Sequence, residues 1–253
     1  PCRHPPDERA PGYRHPPENR MNTMQKPTEK FPLRDIRLVI LDLDGTMIDS
    51  VPDLDVALNG MLRELNLPPV DVPSIRMFVG KGTQNLVRST LTVHLDPIDA
   101  EKTMDIAMTL FYKYYRIVNG EHSTVFPGVV EGLQRMKEKN LHIACVTNKP
   151  SIFTEPLLAK NGLYPYFQLI YCSDTFLVKK PSPFPMQMAC KKFGCRPEQA
   201  VAIGDSVHDA QAARAAGCCL FMVPYGYNYG RPVEEMNPDA TVSSLLEAAN
   251  LVS

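Results

Sequence analysis

From Ile36 to Leu41 the chain reads IRLVIL, a short apolar run rich in β-branched residues. Such a run predicts a strand buried on both faces, as in a parallel sheet. The rhythm then changes. In DLDVALNGMLRELNL, which starts at Asp53, apolar positions recur at spacings of three and four, and a similar pattern runs from about Pro97 to Arg116. The block from about 53 to 115 is therefore helical in pattern, with no convincing strand. After Pro127 the two patterns alternate. VVEGLQRMKEKN (129–140), SIFTEPLLAKNG (151–162), the span from about Pro183 to Phe193, and HDAQAARAAG (208–217) read as helices. LHIACV (141–146), FQLIYC (167–172), AVAIG (200–204) and CLFMVP (219–224) read as strands. Gly162 is a natural helix stop. Strands alternating with helices predict right-handed crossovers and an α/β, doubly wound parallel sheet. The helical block interrupts this alternation after the first strand. We expect it, over 53–119, to be an inserted cap domain, with 35–52 and 120–253 as the core.

Residues 1–34 differ from the rest. They are rich in Pro, Arg, Glu and His, and RHPP occurs twice, at 3–6 and 14–17. So little apolar surface predicts disorder. Met21 and Met24 are natural start positions, so the stretch need not belong to the natural protein.

The remaining bulk numbers mostly exclude. Lys+Arg is 27 and Asp+Glu is 28, a formal net charge of −1. No chain-wide field favours nucleic acid or an anionic membrane, and attraction for an anion must come from a local site. No apolar stretch approaches the ~20 residues of a membrane span. The seven cysteines include no CxxC and lie mostly in apolar surroundings. They read as reduced thiols and predict a cytoplasmic protein. His94, His122 and His142 have no partners at metal-ligand spacing, and His208 is expected to face solvent.

In a doubly wound sheet, ligands bind beyond the carboxyl ends of the strands. Polar residues cluster there: Asp42, Asp44, Gly45 and Thr46 after the first predicted strand, then Thr147, Asn148 and Lys149. Ser173, Asp174 and Lys180 follow the third, and Gly204, Asp205, Ser206 and Asp209 the fourth. Any one of these could be a helix cap or turn residue. Their arrival in strand order at one edge favours a site. Asp42 and Asp44 are two apart, so on extended backbone they point the same way. Paired carboxylates repel unless a cation or proton lies between them. With Asp205 they describe a magnesium site that keeps room for waters and a phosphate.

These residues carry a resemblance. DLDGTMIDS (42–50) resembles the first motif of the haloacid dehalogenase superfamily, VTN (146–148) its second, KPSP (180–183) its third and GDSVHD (204–209) its fourth. Order and separation agree, and the match runs from about residue 36 to the end. Further stretches resemble the phosphoglycolate phosphatase branch: VPDLDVALNGMLRELNLPPV (51–70), VGKGT (79–83), YYRIVNG (114–120), VTNKP (146–150) and YGYNYG (225–230). Lys81 and His208 depart from that branch's pattern.

The resemblance implies a Rossmann-like core with a helical cap and a Mg²⁺-dependent phosphatase, a monomer or homodimer, acting on a small phosphate ester. Asp42 is then the nucleophile that forms an aspartyl-phosphate, and Asp44 the proton shuttle. Asp42, the Asp44 carbonyl and Asp205 hold Mg²⁺. Thr147, Asn148 and Lys180 hold the equatorial phosphoryl oxygens. Gly45 and Thr46 contact substrate, Ser206 and Asp209 support the site, and Arg76 and Lys81 are candidates for a substrate carboxylate. The expected reaction is 2-phosphoglycolate to glycolate and phosphate. The alternatives are another capped sugar-phosphate phosphatase or phosphomutase, and a binding module that uses Asp42 only as phospho-acceptor. A true dehalogenase is disfavoured, since it needs no second carboxylate at the position of Asp44.

Overall fold

The computed structural model describes Leu33 and residues 35–253. The disorder expected over 1–34 lies outside these residues, except at Leu33, which bridges to Val252 in the core. In chain order the elements are β1 (Leu38–Leu41), β2 (Ile48–Asp49), α1 (Val51–Glu64), α2 (Val72–Phe78), α3 (Thr83–Leu91), α4 (Pro97–Val118), β3 (Thr124–Val125), α5 (Val129–Glu138), β4 (His142–Val146), α6 (Ser151–Lys160), β5 (Leu169–Tyr171), α7 (Phe184–Lys192), β6 (Ala200–Gly204), α8 (Val207–Ala216), β7 (Cys219–Met222), β8 (Ala240–Thr241) and α9 (Leu245–Asn250).

Six strands form a parallel sheet in the order β5-β4-β1-β6-β7-β8. Alternate residues of the apolar runs serve opposite faces, as strand geometry requires. Val39, Leu41, Ile143, Cys145, Val201 and Ile203 pack with α5, α6 and α9. Leu38, Ile40, Ala144, Val146, Ala200 and Ala202 pack with α7 and α8. The sheet is thus the middle of three layers, which is why its strands carry almost no polar residue until they end. Register sets the level of those ends. Leu41 pairs with Cys145 on one side and Ile203 on the other. Asp42 is consequently level with Val146 and Gly204, and Thr147 and Asp205 follow one residue later.

Between β2 and β3, a short antiparallel pair, four helices pack around their own apolar cluster. Asp96 caps α4 by accepting from Ile98 N and Asp99 N at 2.9 and 3.1 Å, and Pro97 occupies the first turn. Such a start fixes the phase of the long helix. Phe111 and Tyr115, four residues apart, then share one face and stack at 5.2 Å. That face looks toward the end of β4.

Asp53 ties the two ends of this helical block together. It is fully buried in the first turn of α1. Its carboxylate accepts from Gly120 N and His122 N, each at 2.7 Å, and from the Ser123 hydroxyl. Asp53→Ala leaves those donors unpaired beneath the helices. We expect it to cost about 2–3 kcal/mol, read as a lower urea midpoint at unchanged denaturant slope.

Cys145, Cys172, Cys190, Cys195 and Cys218 are buried free thiols, as the sequence predicts. Among the described residues no helix is long and apolar enough to cross a membrane.

Candidate active site

The centre of the rim is a buried lysine between two carboxylates. Lys180 Nζ lies 2.8 Å from Asp42 Oδ1 and 2.6 Å from Asp209 Oδ1. Burial disfavours its charge, but Asp209 and Asp42 more than offset that and hold its pKa above the ordinary lysine value. Asp205 stands beside this pair. Its Oδ1 accepts from the Thr46 hydroxyl at 2.7 Å and its Oδ2 from Tyr227 N at 2.6 Å. Asp42, Asp205 and Asp209 each bring an oxygen within 4.8 Å of the others.

Crowding shows in their acidity. Burial, then Asp209, push Asp42 up to about 7, while Lys180 pulls it down. Burial, then Asp209 and Asp42, raise Asp205 well above the usual carboxylate range. Three carboxylates thus crowd around one lysine, which pairs with only Asp42 and Asp209. Their donor set is all oxygen and leaves a negative excess, which suits a hard divalent cation such as Mg²⁺. Of the side chains the sequence nominates as metal ligands, Asp42 and Asp205 are brought together in this set. Asp209, expected only in support, stands in the cluster itself, while its Oδ2 also accepts from Ser206 N and Oγ at the start of α8.

The Asp44 side chain turns away from this cluster. It receives Lys149 Nζ at 3.0 Å on Oδ1 and 3.2 Å on Oδ2, and Lys149 also donates to the Tyr115 hydroxyl at 2.6 Å. Lys149 is only 6% exposed. Burial works against its charge, but Asp44 and Tyr115 hold its pKa above normal. Burial pushes the Tyr115 hydroxyl up to about 12. A narrow cleft runs from here to the rim, lined by Asp42, Asp44, Thr147, Asn148 and Lys149 on one side and Gly80, Gly82, Leu86, Phe111 and Tyr115 on the other. Its open space is about 40 Å³, room for a few water molecules at ~10–15 Å³ each.

Several sequence expectations are corrected in detail. Thr46 is fully buried and its hydroxyl is spent on Asp205, so it orients that carboxylate rather than meeting a ligand. Gly45 has φ +86°, and a side chain there would run into Asp205 and Tyr227. Its N–H goes to Ile48 O, so its role is the turn. Asn148 spends both amide N–H groups on carbonyls, those of Gly80 and Lys180, each at 3.0 Å. It couples the α2–α3 loop to the rim instead of offering donors to the cleft. Arg76 is bound to Asp49 at 2.8 Å and lies over the Tyr227 ring. Lys81 lies over the Tyr229 ring at 5.1 Å. Neither lines the cleft. His208 is not solvent-facing: it is half-buried, both ring nitrogens lack a hydrogen-bond partner among the described residues, and burial lowers its pKa.

The sequence assigns no role to Lys149 at its strand end, nor to Tyr115 within the YYRIVNG stretch. Its position four residues after Phe111 was the available signal, but a core aromatic has the same spacing.

A parallel α/β sheet whose strand ends gather carboxylates and a buried lysine, under a helical insertion, defines a hydrolase of one architecture. The chain belongs to the haloacid dehalogenase-like hydrolases: that family's model matches residues 39–223. It is 46% identical over 225 residues to a phosphoglycolate phosphatase of Thiobacillus denitrificans, covering 89% of this chain and 99% of that one. It is 43% identical to a phosphoglycolate phosphatase of Nitrosospira multiformis, covering 88% and 97%. Among solved structures, a crystal structure from Haemophilus somnus described as a predicted phosphoglycolate phosphatase superposes with a TM-score of 0.80 at 30% identity, over 85% of this chain and 96% of that one.

Proposed function

We propose that this protein hydrolyses a small phosphomonoester, 2-phosphoglycolate, to glycolate and phosphate, with Mg²⁺ as cofactor. The carrying observation is the rim itself. Asp42, Asp205, Asp209 and Lys180, from three separate chain segments, meet within hydrogen-bonding or metal-binding reach, and Asp44 lines the adjoining cleft together with Asp42. Kinship with curated phosphoglycolate phosphatases along most of the chain supports the substrate.

Asp42 attacks phosphorus and becomes an acyl phosphate as the P–O ester bond breaks. Asp44 protonates the departing alkoxide, then takes a proton from the water that cleaves the aspartyl-phosphate. Lys180 and Thr147 bind the equatorial oxygens, where charge sits in a loose transition state. Asn148 holds the Lys180 segment in register with the helical insertion. That insertion, over 53–119, acts as a cap that keeps bulk water from the first step. Asp42, Asp205 and the Asp44 carbonyl would hold Mg²⁺, with Asp209 adjoining; when bound, it would neutralise the repulsion between nucleophile and phosphate. The free thiols fit a reducing, cytoplasmic setting.

Phosphate release across a panel of esters tests this. Activity should be highest on 2-phosphoglycolate and vanish with EDTA. In the same samples, Mg²⁺ at 100 times its dissociation constant should stabilise the fold by about 2.7 kcal/mol, and Asp205→Asn should remove that thermal shift. Preference for a hexose phosphate would overturn the substrate, and interconversion of two sugar phosphates would select a mutase.

A further inference from the structure

On the reading that the substrate is 2-phosphoglycolate, its carboxylate needs a cation, and the sequence nominates Arg76 and Lys81. Both are engaged elsewhere and neither lines the cleft. We propose instead that Lys149 and Tyr115 together form the seat of the substrate carboxylate and set the enzyme's specificity.

Connectivity locates that seat. A residue that protonates the leaving group must lie within hydrogen-bond reach of the ester oxygen. In 2-phosphoglycolate one methylene separates that oxygen from the carboxylate. The cation that meets the carboxylate must therefore lie close to the proton donor. Lys149 Nζ is 3.0 Å from Asp44 Oδ1 and lines the same cleft. Among the described residues, Lys149 and Lys180 are the cations this deep in the site, and Lys180 lies between Asp42 and Asp209.

Tyr115 supplies the second donor. Its hydroxyl accepts from Lys149 at 2.6 Å, so its own proton is directed elsewhere. Among the described residues it has no protein acceptor, although Tyr115 is only 1% exposed. An ammonium and an adjoining hydroxyl, both lining a cleft, offer two N–H and O–H donors to one carboxylate. Lys149 meets it by exchanging an Asp44 oxygen for a substrate oxygen, and the released Asp44 balances the charge by taking up from solvent the proton that it then gives to the leaving alkoxide. The apolar wall of Leu54, Leu86 and Phe111 lowers the local polarity and strengthens the contact. An ester with a methyl in place of the carboxylate leaves both donors unmatched, which is how a polar pocket rejects an analogue.

The test is a selectivity ratio: kcat/KM for 2-phosphoglycolate divided by kcat/KM for ethyl phosphate, the same ester with methyl for carboxylate. Wild-type protein should favour 2-phosphoglycolate strongly. Lys149→Met should lower the ratio by about 10²-fold, as for loss of one preorganised donor. Tyr115→Phe, a change that keeps the ring stack, should lower it about tenfold. The second variant reads the same ratio if the first does not fold. Arg76→Met should move the ratio by less than either. Variants that retain the wild-type ratio would overturn this assignment and leave the proposed substrate standing, as would a collapse confined to Arg76→Met. A wild-type enzyme with no preference between the two esters would overturn the substrate, and this seat with it.

Discussion

Asp42→Asn should reduce hydrolysis of 2-phosphoglycolate by roughly 10⁴-fold or more, as when a covalent nucleophile is removed, while leaving the fold intact. Asparagine keeps the shape and can still accept from Lys180, which retains its 2.6 Å contact with Asp209. The backbone bond from residue 42 N to Ile203 O is untouched. Only the charge of the proposed nucleophile is lost. Stability should move the other way. Burial and Asp209 place the Asp42 pKa near 7 against an ordinary 3.8, so the folded protein binds that proton more tightly than the unfolded chain does. The contribution is therefore greatest below the unfolded pKa and is lost as pH rises toward 7. Above that, in EDTA, the neutral amide escapes the repulsion, and thermal unfolding of the variant should come at or above the wild-type temperature. Phosphate release within tenfold of wild type would remove Asp42 from the chemistry. A large drop in unfolding temperature would mean that its role is packing.

Much of this fold was legible because each layer leaves its own period. Apolar runs such as AVAIG, strand β6 without change, could only be strands covered on both faces. The alternation after Pro127 gave the sheet, and the strand ends then located Asp42, Thr147 and Asp205. Elements too short to show a period were not visible: β2 and β3 have two residues each, and so has β8. The orientation of rim side chains was not legible either. Asp44 and Lys149 are 105 positions apart, and Thr46 and Asp205 are 159 apart. Local spacing carries no record of such a pairing. Asp53 makes the same point. In sequence it looks like ordinary first-turn decoration, yet its partners lie 67 to 70 residues on. Arg76 and Lys81 were plausible from charge alone, because nothing nearby in sequence announces Asp49 or the rings of Tyr227 and Tyr229 as their partners.

Lys180→Met should cost about 10³-fold in kcat/KM and, in EDTA, about 3–5 kcal/mol of stability. One side chain has two effects because one charge serves two purposes. Toward substrate, on the proposed mechanism, it holds a phosphoryl oxygen. Toward the protein it neutralises Asp42 and Asp209, which press on each other through a dry interior. Methionine fills most of the volume but orphans both carboxylates. Asp209→Asn separates the two purposes. It removes one of the orphaned charges and keeps an oxygen for the Ser206 donors. In that background, Lys180→Met should cost markedly less stability, a positive coupling in the double-mutant cycle, yet the rate loss should remain near its full size, because the phosphoryl oxygen still lacks its cation. Strict additivity in stability would show that Lys180 and Asp209 do not share one charge balance. Recovery of the rate alongside stability would show that Lys180 acts only by keeping the carboxylates apart.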